Sequence, residues 1–355
     1  MVEPNAFDTL RDGCVIPAHP LALTGENKLD ERCQRALTRY YLAAGAGGLA
    51  LGVHTTQFAI HDPRVGLYRP VLELAVETAR QAVGSGGSGS PVMIAGLVGG
   101  TAQAVGEAEL AVKLGYHLGL LSLAALRGKS VDELIDHARQ VAEHLPIMGF
   151  YLQATISRMV LPREFWARLV EIPNLRAIKI APFNRYQTLD VLEAVAQSGR
   201  QDEIALYTGN DDNIIADLLA PYAFHTDRGD VSLQIAGGLL GQWACWTRKA
   251  VEHLRAIKGF QKAKTPVPQK MLTLASQMTL ANKAIFDADN NFAGCIPGIS
   301  YVLQRQGLMS HIGALDPADR LSPGQTDAID RIIRDYPHLT DDEFVRANLD
   351  KWLSP

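Results

Sequence analysis

Eight short apolar runs alternate with helix-like stretches over the first two-thirds of this 355-residue chain. The predicted strands are GCVIPA (13–18), GLALGV (48–53), PVMIAGL (91–97), HLGLLSL (117–123), IMGFYLQ (147–153), LRAIKIA (175–181), IALYTG (204–209) and VSLQIAG (231–237). Unbroken runs rich in Val, Ile and Leu are typical of parallel strands that are buried on both faces. Eight strand–helix units predict an α/β fold, a (β/α)8 TIM barrel. A doubly wound open sheet is the alternative, but no GxGxxG motif follows the first strand.

The strand-like pattern stops near residue 246, and the remaining sequence has helical periodicity. We therefore expect a (β/α)8 barrel over residues 1–245 and a C-terminal helical segment over 246–355 that packs on the barrel. The Gly/Ser-rich run at 84–91 is typical of a flexible connection between a helix and a strand. Ser130 and Glu133 have the spacing of a capping box at a helix start.

Composition excludes several classes of partner. The net charge is −4 without any block of Lys or Arg, which argues against a nucleic-acid partner or an anionic membrane surface. No apolar run reaches the roughly 18 residues of a membrane span, and the first residues lack the apolar stretch of a signal peptide. We expect a cytoplasmic protein with reduced cysteines and without a zinc site, because its four cysteines and its histidines lack zinc-ligand spacing.

Lys179 lies inside the apolar sixth strand, where a protonated amine is costly to bury. Catalytic residues of such barrels lie at the C-terminal ends of the strands, and a desolvated lysine there suits Schiff-base chemistry with a ketone or aldehyde. Tyr151 lies 28 residues earlier, near the end of the adjacent strand, where a phenol would relay protons. The alternatives are a lysine that pairs with a carboxylate and a tyrosine that fills the core.

Further polar or flexible positions follow other predicted strands. These candidate substrate-binding residues are His19, His54, Asn184, Gly209 and Gly237. The histidines are candidate hydrogen-bond partners of a substrate rather than metal ligands. Gly237 begins the run GGLLGQ, whose backbone N–H groups are a candidate phosphate site.

Several stretches resemble the dihydrodipicolinate synthase / N-acetylneuraminate lyase family of class I aldolase-like barrels. LPIMGFYLQATISRMVLPREFWARLVEIPNLRAIKIA (145–181) is similar to that family's run from a strand-5 tyrosine to the Schiff-base lysine. Its end, IPNLRAIKIA, matches the family pattern L-P-N-I-x-G-I-K-x-A closely. Similar segments follow in the family's order: ENKLDERCQRALTRYYLAAGAGGLALGVHTTQF (26–58), YTGNDD (207–212), NNFAGCIPGISYVLQRQGLM (290–309) and RLSPGQTDAIDRII (320–333).

The resemblance implies an imine between a 2-oxo acid, often pyruvate, and Lys179, with Tyr151 as proton relay. It implies no metal or organic cofactor, because the imine itself is the electron sink. It also implies a homo-oligomer, a tetramer or dimer. Thr55 and Thr56 resemble the two threonines that bind the acid's carboxylate, although His54 and Thr55 are an alternative assignment.

The departures from the family narrow the expected activity. Ile156 stands where dihydrodipicolinate synthases have a substrate-binding arginine, and no tyrosine follows the fourth strand. Dihydrodipicolinate synthesis itself is therefore not expected. We expect a lyase, aldolase or hydro-lyase that acts on a 2-oxo acid or sugar-acid derivative. The alternatives are a transaldolase-type phosphosugar aldolase and a non-catalytic keto-acid-binding barrel.

Overall fold

Eight parallel strands form a barrel in the computed structural model, which describes residues 5–84 and 90–354. Most of the predicted Gly/Ser connection, residues 85–89, lies outside the described residues. The barrel strands are β1 (Val15–Pro17), β2 (Gly48–Leu51), β3 (Val92–Leu97), β4 (Leu118–Leu121), β5 (Ile147–Leu152), β6 (Leu175–Ala181), β7 (Ala205–Thr208) and β10 (Gly237–Leu240). Their spatial order is β1-β10-β7-β6-β5-β4-β3-β2.

The first two strands meet and complete the barrel. Ala18 and Ala50 form a parallel bridge, the His19 N–H donates to the Ala50 carbonyl at 2.8 Å, and the Gly47 N–H donates to the Val15 carbonyl at 3.0 Å. These bonds join the two ends of the strand order. The predicted (β/α)8 TIM barrel is confirmed.

Helices connect the strands and cover the barrel. They are α1 (Ala6–Asp12), α2 (Glu31–Ala44), α3 (Tyr68–Gly84), α4 (Thr101–Leu114), α5 (Val131–His144), α6 (Ala154–Ser157), α7 (Arg163–Leu169), α8 (Arg185–Ser198) and α9 (Ile214–Leu219). The predicted capping box is confirmed at α5, where the Glu133 N–H donates to Ser130 Oγ and the Ser130 N–H donates to the Glu133 carboxylate.

Alternate strand side chains divide between two hydrophobic cores, as the two-residue period of a strand requires. The inner core fills the barrel and includes Ile16, Ala50, Ile94, Leu120, Met148, Phe150, Ala177 and Leu239. The outer core lies between strands and helices and includes Leu49, Met93, Leu121, Tyr151, Ile178, Ile180 and Leu240. This division decides which strand residues reach the mouth of the barrel.

The N-terminal helix closes the end of the barrel opposite the mouth. Leu10 of α1 belongs to the inner core, and the Tyr207 hydroxyl donates to the Leu10 carbonyl at 2.9 Å. Gly13 ends the helix with φ 79°, and a Cβ there would lie 1.9 Å from the Ala236 carbonyl oxygen. Only glycine fits this turn without strain.

The predicted eighth strand, 231–237, is wrong in position. Residues of that run belong to an antiparallel hairpin, β8 (Tyr222–Thr226) with β9 (Gly229–Leu233), outside the barrel. The eighth barrel strand is β10, whose sequence GGLL carries two glycines that strand propensity disfavours. Glycine is needed because a Cβ at Gly238 would lie 2.7 Å from the Trp243 ring.

Five helices follow the barrel: α10 (Thr247–Ala263), α11 (Gln269–Ile285), α12 (Cys295–Arg305), α13 (Gln325–Asp335) and α14 (Asp342–Leu353). A buried hydrogen-bond chain ties them to the barrel, since Tyr40 donates to Asp341 at 2.7 Å and accepts from the Thr247 N–H at 2.8 Å. The division at residue 245 stays a prediction. Across residues 5–84 and 90–354, no helix combines the length and apolarity that a bilayer crossing requires.

Candidate active site

Lys179 lines a cavity at the C-terminal ends of the barrel strands. The side chain, on β6, is 8% exposed and points into the barrel. The cavity has a volume of about 50 Å³, a third of the roughly 150 Å³ that accommodates benzene in an engineered apolar cavity. Its apolar lining consists of Ala18, Val53, Phe150, Leu152, Ile156, Ala181, Phe183, Phe286 and Phe292. The space suits the reacting end of a small molecule.

The apolar surroundings favour the neutral amine. Burial lowers the pKa of Lys179 to about 8, and the nearby Asp211 carboxylate limits the decrease. The Nζ atom lies 4.6 Å from the centre of the Phe150 ring, a cation–π distance when the amine is protonated. Within the described chain, no carboxylate forms an ion pair with Lys179. The amine is therefore available as a nucleophile near neutral pH.

A bulge between β5 and β6 decides which residue faces the lysine. Ile147 pairs with Leu175, but the register then shifts by one residue, so Lys179 pairs with Phe150 and Tyr151 pairs with Ile180. A shift of one residue exchanges the two faces of a strand. The aromatic neighbour of Lys179 therefore has no hydroxyl.

The structure does not bring Tyr151, the predicted proton relay, to Lys179, because its side chain faces away from the cavity. The ring packs 5.0 Å from Trp166 in the outer core, and the hydroxyl donates to the Leu161 carbonyl at 3.2 Å. Burial raises the pKa of this phenol to about 12. Tyr151 is a core residue with its hydroxyl bonded, the alternative that the sequence left open.

We expect Tyr151→Phe to lower the free energy of unfolding by about 1 kcal/mol through loss of the hydrogen bond to Leu161. Reaction of Lys179 with a carbonyl compound should be unchanged within about twofold, because the phenol does not reach the cavity. Urea unfolding and the rate of imine trapping measure the two effects. A sharp loss of trapping without loss of stability would restore Tyr151 to the site.

Asp211 is a cavity residue that the sequence analysis missed. It follows β7, and its Oδ1 accepts a hydrogen bond from the Gln242 N–H at 3.2 Å. Burial raises the pKa of this carboxyl to about 7, although the charge of Lys179 opposes the increase. Asp211 belongs to the run YTGNDD, where two neighbouring acidic residues are also typical of a helix cap. The N-cap of α9 is instead Asn213.

His54 and Thr55 both line the cavity, on the short 3-10 turn that follows β2. Burial and the charge of Lys179 lower the pKa of His54 to about 4, so the ring is neutral at neutral pH. The Thr55 hydroxyl donates to the Ala18 carbonyl at 2.7 Å. Thr56 lies behind them, where its hydroxyl donates to the His19 carbonyl at 2.7 Å. Of the two alternatives, His54 and Thr55 both line the cavity, whereas Thr56 does not.

The structure places two further candidates away from the cavity. His19 is fully buried between β1 and α2, with Nε2 2.9 Å from the Thr38 hydroxyl, and burial lowers its pKa to about 4. Asn184 is exposed and caps α8, because its Oδ1 accepts from the Tyr186 N–H. Neither residue lines the cavity, since local hydrogen bonds hold both side chains elsewhere.

The glycine candidates have different outcomes. Gly237 begins β10 at the closed end of the barrel, where a Cβ would lie 2.4 Å from the Cys14 carbonyl oxygen, so this glycine lies away from the cavity. The run GGLLGQ reaches the cavity at its other end, where Gly241 lines it and the Gln242 N–H donates to Asp211. Gly209 does line the cavity. A Cβ there would lie 2.7 Å from both Lys179 Cε and Ala181 Cβ, so the absence of a side chain makes room for the lysine.

Aromatic residues from outside the barrel strands complete the mouth. Phe183 follows β6 and Phe292 precedes α12, and their rings meet edge to face with centroids 5.6 Å apart. Both have left-handed backbone conformations, with φ 54° and 66°, which bulky residues rarely adopt. The buried Asn210 fixes the first of them, since its Oδ1 accepts from the Phe183 N–H at 3.0 Å. Phe292 belongs to the C-terminal segment, so that segment contributes to the site.

Among residues 5–84 and 90–354, no three His, Cys, Asp or Glu side chains come together as metal ligands would. The titratable side chains at the cavity are instead Lys179, Asp211, His54 and Cys295.

Comparison with curated proteins gives a partial match. Over 132 residues the chain is 32% identical to a probable 5-dehydro-4-deoxyglucarate dehydratase of Acinetobacter baumannii strain AB307-0294, and the same values hold for the protein of strain AB0057. The matched stretch is 37% of this chain and spans 39% of the length of these relatives. No protein-family model matches the sequence.

Comparison with solved structures covers nearly the whole chain. A dihydrodipicolinate synthase of Acinetobacter baumannii, complexed with pyruvate, has a TM-score of 0.72 at 17% identity and covers 91% of this chain and 98% of its own. A prophage protein of E. coli K12 from the dihydrodipicolinic acid synthase family, also with pyruvate, gives 0.71 at 16%, covering 90% and 97%. The protein CdNal of Clostridium difficile, with mannosamine, gives 0.69 at 14%, covering 91% and 99%. The resemblance inferred from the sequence is confirmed for the fold.

Proposed function

We propose that this chain, which has the fold of the dihydrodipicolinate synthase / N-acetylneuraminate lyase barrels, is a class I lyase that forms an imine between Lys179 and a 2-oxo acid. The observation that carries the proposal is a lysine with a lowered pKa in an apolar cavity at the catalytic end of the barrel. At pH 7, a pKa of about 8 instead of 10.5 leaves about 300-fold more neutral amine. Two structural neighbours have pyruvate bound.

The chemistry needs no further cofactor. The neutral Lys179 amine adds to the carbonyl carbon of the acid, and with one added proton the adduct loses water and becomes a protonated imine. The positive nitrogen then accepts the electron pair when a bond to the neighbouring carbon breaks, so either a proton or a carbon fragment leaves. Dehydration and aldol cleavage both follow from this intermediate.

The lining of the cavity limits the substrate. We place the carboxylate of the acid beside His54 and Thr55, the polar groups on the turn after β2. The remaining wall is mainly aromatic and aliphatic, so it offers few partners for the hydroxyl groups of a sugar acid. We therefore propose a 2-oxo acid whose other substituents are compact and largely apolar. A phosphosugar has less support, because Gly237 lies at the closed end and the Gln242 N–H at the mouth already donates to Asp211.

A non-catalytic keto-acid-binding barrel is a second candidate. Phe150, rather than a phenol, contacts Lys179, so the expected proton relay is missing from β5. Such a barrel would still bind a 2-oxo acid but would not turn it over. A homotetrameric or dimeric assembly and a cytoplasmic location stay predictions.

Borohydride trapping tests the proposal. We expect reduction in the presence of pyruvate or another 2-oxo acid to leave one adduct on Lys179, identified by peptide mass spectrometry. The rate of adduct formation should rise with pH up to about 8 and then level off, since only the unprotonated amine reacts. Polyhydroxylated 2-oxo acids should react more slowly than pyruvate.

Two outcomes would contradict the proposal. Absence of a Lys179 adduct over a broad panel of 2-oxo acids would exclude the imine. A rate that increases up to pH 10 or above would show an ordinary lysine pKa. Lys113, a surface lysine of α4, provides the internal control for non-specific modification in the same digest.

A further inference from the structure

We propose that Asp211 transfers the protons of the imine chemistry at Lys179, in place of the phenol that the fold otherwise suggests. This inference rests on the proposed imine function and adds a catalytic residue to it. The amine on β6 and the carboxyl group on the loop after the adjacent strand β7 line the same cavity. No ion pair or hydrogen bond joins the two groups in the described chain, so a carbonyl compound has access to both.

No tyrosine of the neighbouring strands supplies a hydroxyl to the cavity. Phe150 occupies the position beside Lys179, and Tyr151 points into the outer core. Tyr207 also pairs with Lys179 in the sheet, but its hydroxyl points to the closed end of the barrel. There it donates to the Leu10 carbonyl and accepts from the Cys14 N–H. The tyrosines of β5 and β7 therefore do not carry the protons.

The other polar side chains at the cavity are poor proton carriers near neutral pH. His54 has a lowered pKa of about 4 and is a weak base. Burial and nearby carboxylates raise the pKa of the Cys295 thiol well above its usual range, so the thiol keeps its proton. The Thr55 hydroxyl donates to the Ala18 carbonyl. Asp211 remains as the group whose protonation changes in the working range.

The surroundings of Asp211 suit repeated gain and loss of a proton. The Gln242 N–H donates to Oδ1, and no side chain of the described residues forms a hydrogen bond with this carboxyl. Burial and the neighbouring Asp212 raise the pKa of Asp211, whereas Lys179 lowers it; the Cys245 and Cys295 thiols face it as well. General acid–base catalysis is most effective when the pKa lies near the operating pH, as the value of about 7 does here.

Proton transfer at C3 of the bound acid requires only Lys179 and Asp211. In the imine of pyruvate with Lys179, the Asp211 carboxylate removes a proton from C3. The C3–H electron pair forms the C2–C3 double bond, and the C2–N π pair moves to nitrogen, which gives a neutral enamine and a protonated Asp211. The reverse step returns the proton to C3. In D2O, each cycle in which Asp211 exchanges with solvent places a deuterium on C3.

Deuterium exchange into pyruvate, followed by proton NMR, tests the inference together with borohydride trapping. We expect Asp211→Asn to slow exchange at C3 by at least about 100-fold, the range of a general acid–base group. Adduct formation at pH 7 should not decrease, because loss of the Asp211 charge lowers the pKa of Lys179 further. Asp211→Glu, which keeps a carboxyl, should restore part of the exchange. Asp202→Asn, at an exposed aspartate that precedes β7, is the matched control and should exchange like the unsubstituted protein.

The outcomes separate this inference from the proposed function. If no adduct forms at Lys179 in the unmodified protein, the imine function itself fails. If the adduct forms but Asp211→Asn and Asp211→Glu both exchange within threefold of the unmodified protein, Asp211 is not the proton carrier. An adduct without exchange in the unmodified protein also overturns the inference and favours the non-catalytic barrel.

Discussion

Lys179→Ala is expected to eliminate imine formation. No adduct should be detected under conditions in which the protein without the substitution is trapped completely. Turnover of any 2-oxo acid should fall by at least about 10⁴-fold, the order lost when a covalent nucleophile is removed. Lys179→Arg should be equally inactive, because a guanidinium stays protonated and forms no imine. Trapping followed by intact-protein mass spectrometry measures both variants.

Stability provides an independent readout of the same lysine. A lysine whose pKa is about 8 in the folded chain and 10.5 when unfolded destabilises the fold below pH 8, by on the order of 3 kcal/mol. This penalty decreases as the pH rises from about 8 to 10.5, because the folded state loses the proton first. Lys179→Met should therefore melt at a higher temperature at pH 7, with a smaller gain at pH 10. A lower melting temperature of Lys179→Met would show that interactions in the folded protein offset the cost of burying the protonated amine.

Gly209→Ala is expected to slow imine formation by about 100-fold while the adduct, once formed, still lies on Lys179. The new methyl group would lie 2.7 Å from Lys179 Cε and from Ala181 Cβ, so the lysine must move. A displacement of about 1 Å at a reacting group has an effect of this size. Crowding should also lower the free energy of unfolding by about 1–3 kcal/mol.

Gly106→Ala is the matched control, because Gly106 lies on the exposed face of α4 and a Cβ there meets nothing within 4 Å. Its trapping rate should equal that of the unmodified protein. Equal rates for Gly209→Ala and Gly106→Ala would show that Lys179 has more room than the structure indicates. Measurement at several pH values separates a displaced lysine from one whose pKa has changed.

Seven of the eight barrel strands were predictable because burial on both faces leaves a continuous apolar run. Strand β6 coincides with its predicted range, 175–181. The eighth strand was not predictable from propensity. Its two glycines are required because Trp243 and the Cys14 backbone lie so close that a Cβ would not fit. The preceding hairpin has the residue types that strands usually prefer.

The site was predictable where a single charged residue interrupts an apolar strand, as Lys179 does. Tyr151 was misassigned because a spacing of 28 residues reaches the facing position only if the two strands pair without a bulge. Asp211 and the Phe183–Phe292 contact depend on loops whose backbone is fixed by distant partners such as Asn210 and Gln242. Local sequence patterns do not contain that information.

The bond from Tyr207 to the Leu10 carbonyl has a consequence for the order of events in turnover. It seals the far end of the barrel beneath a filled inner core, so the mouth serves as both entrance and exit. In the proposed imine chemistry, the expelled water would have to leave past the acid that is already attached to Lys179. Product release and the arrival of the next molecule then compete for one passage. A product that dissociates slowly would therefore block the entry of the next substrate molecule.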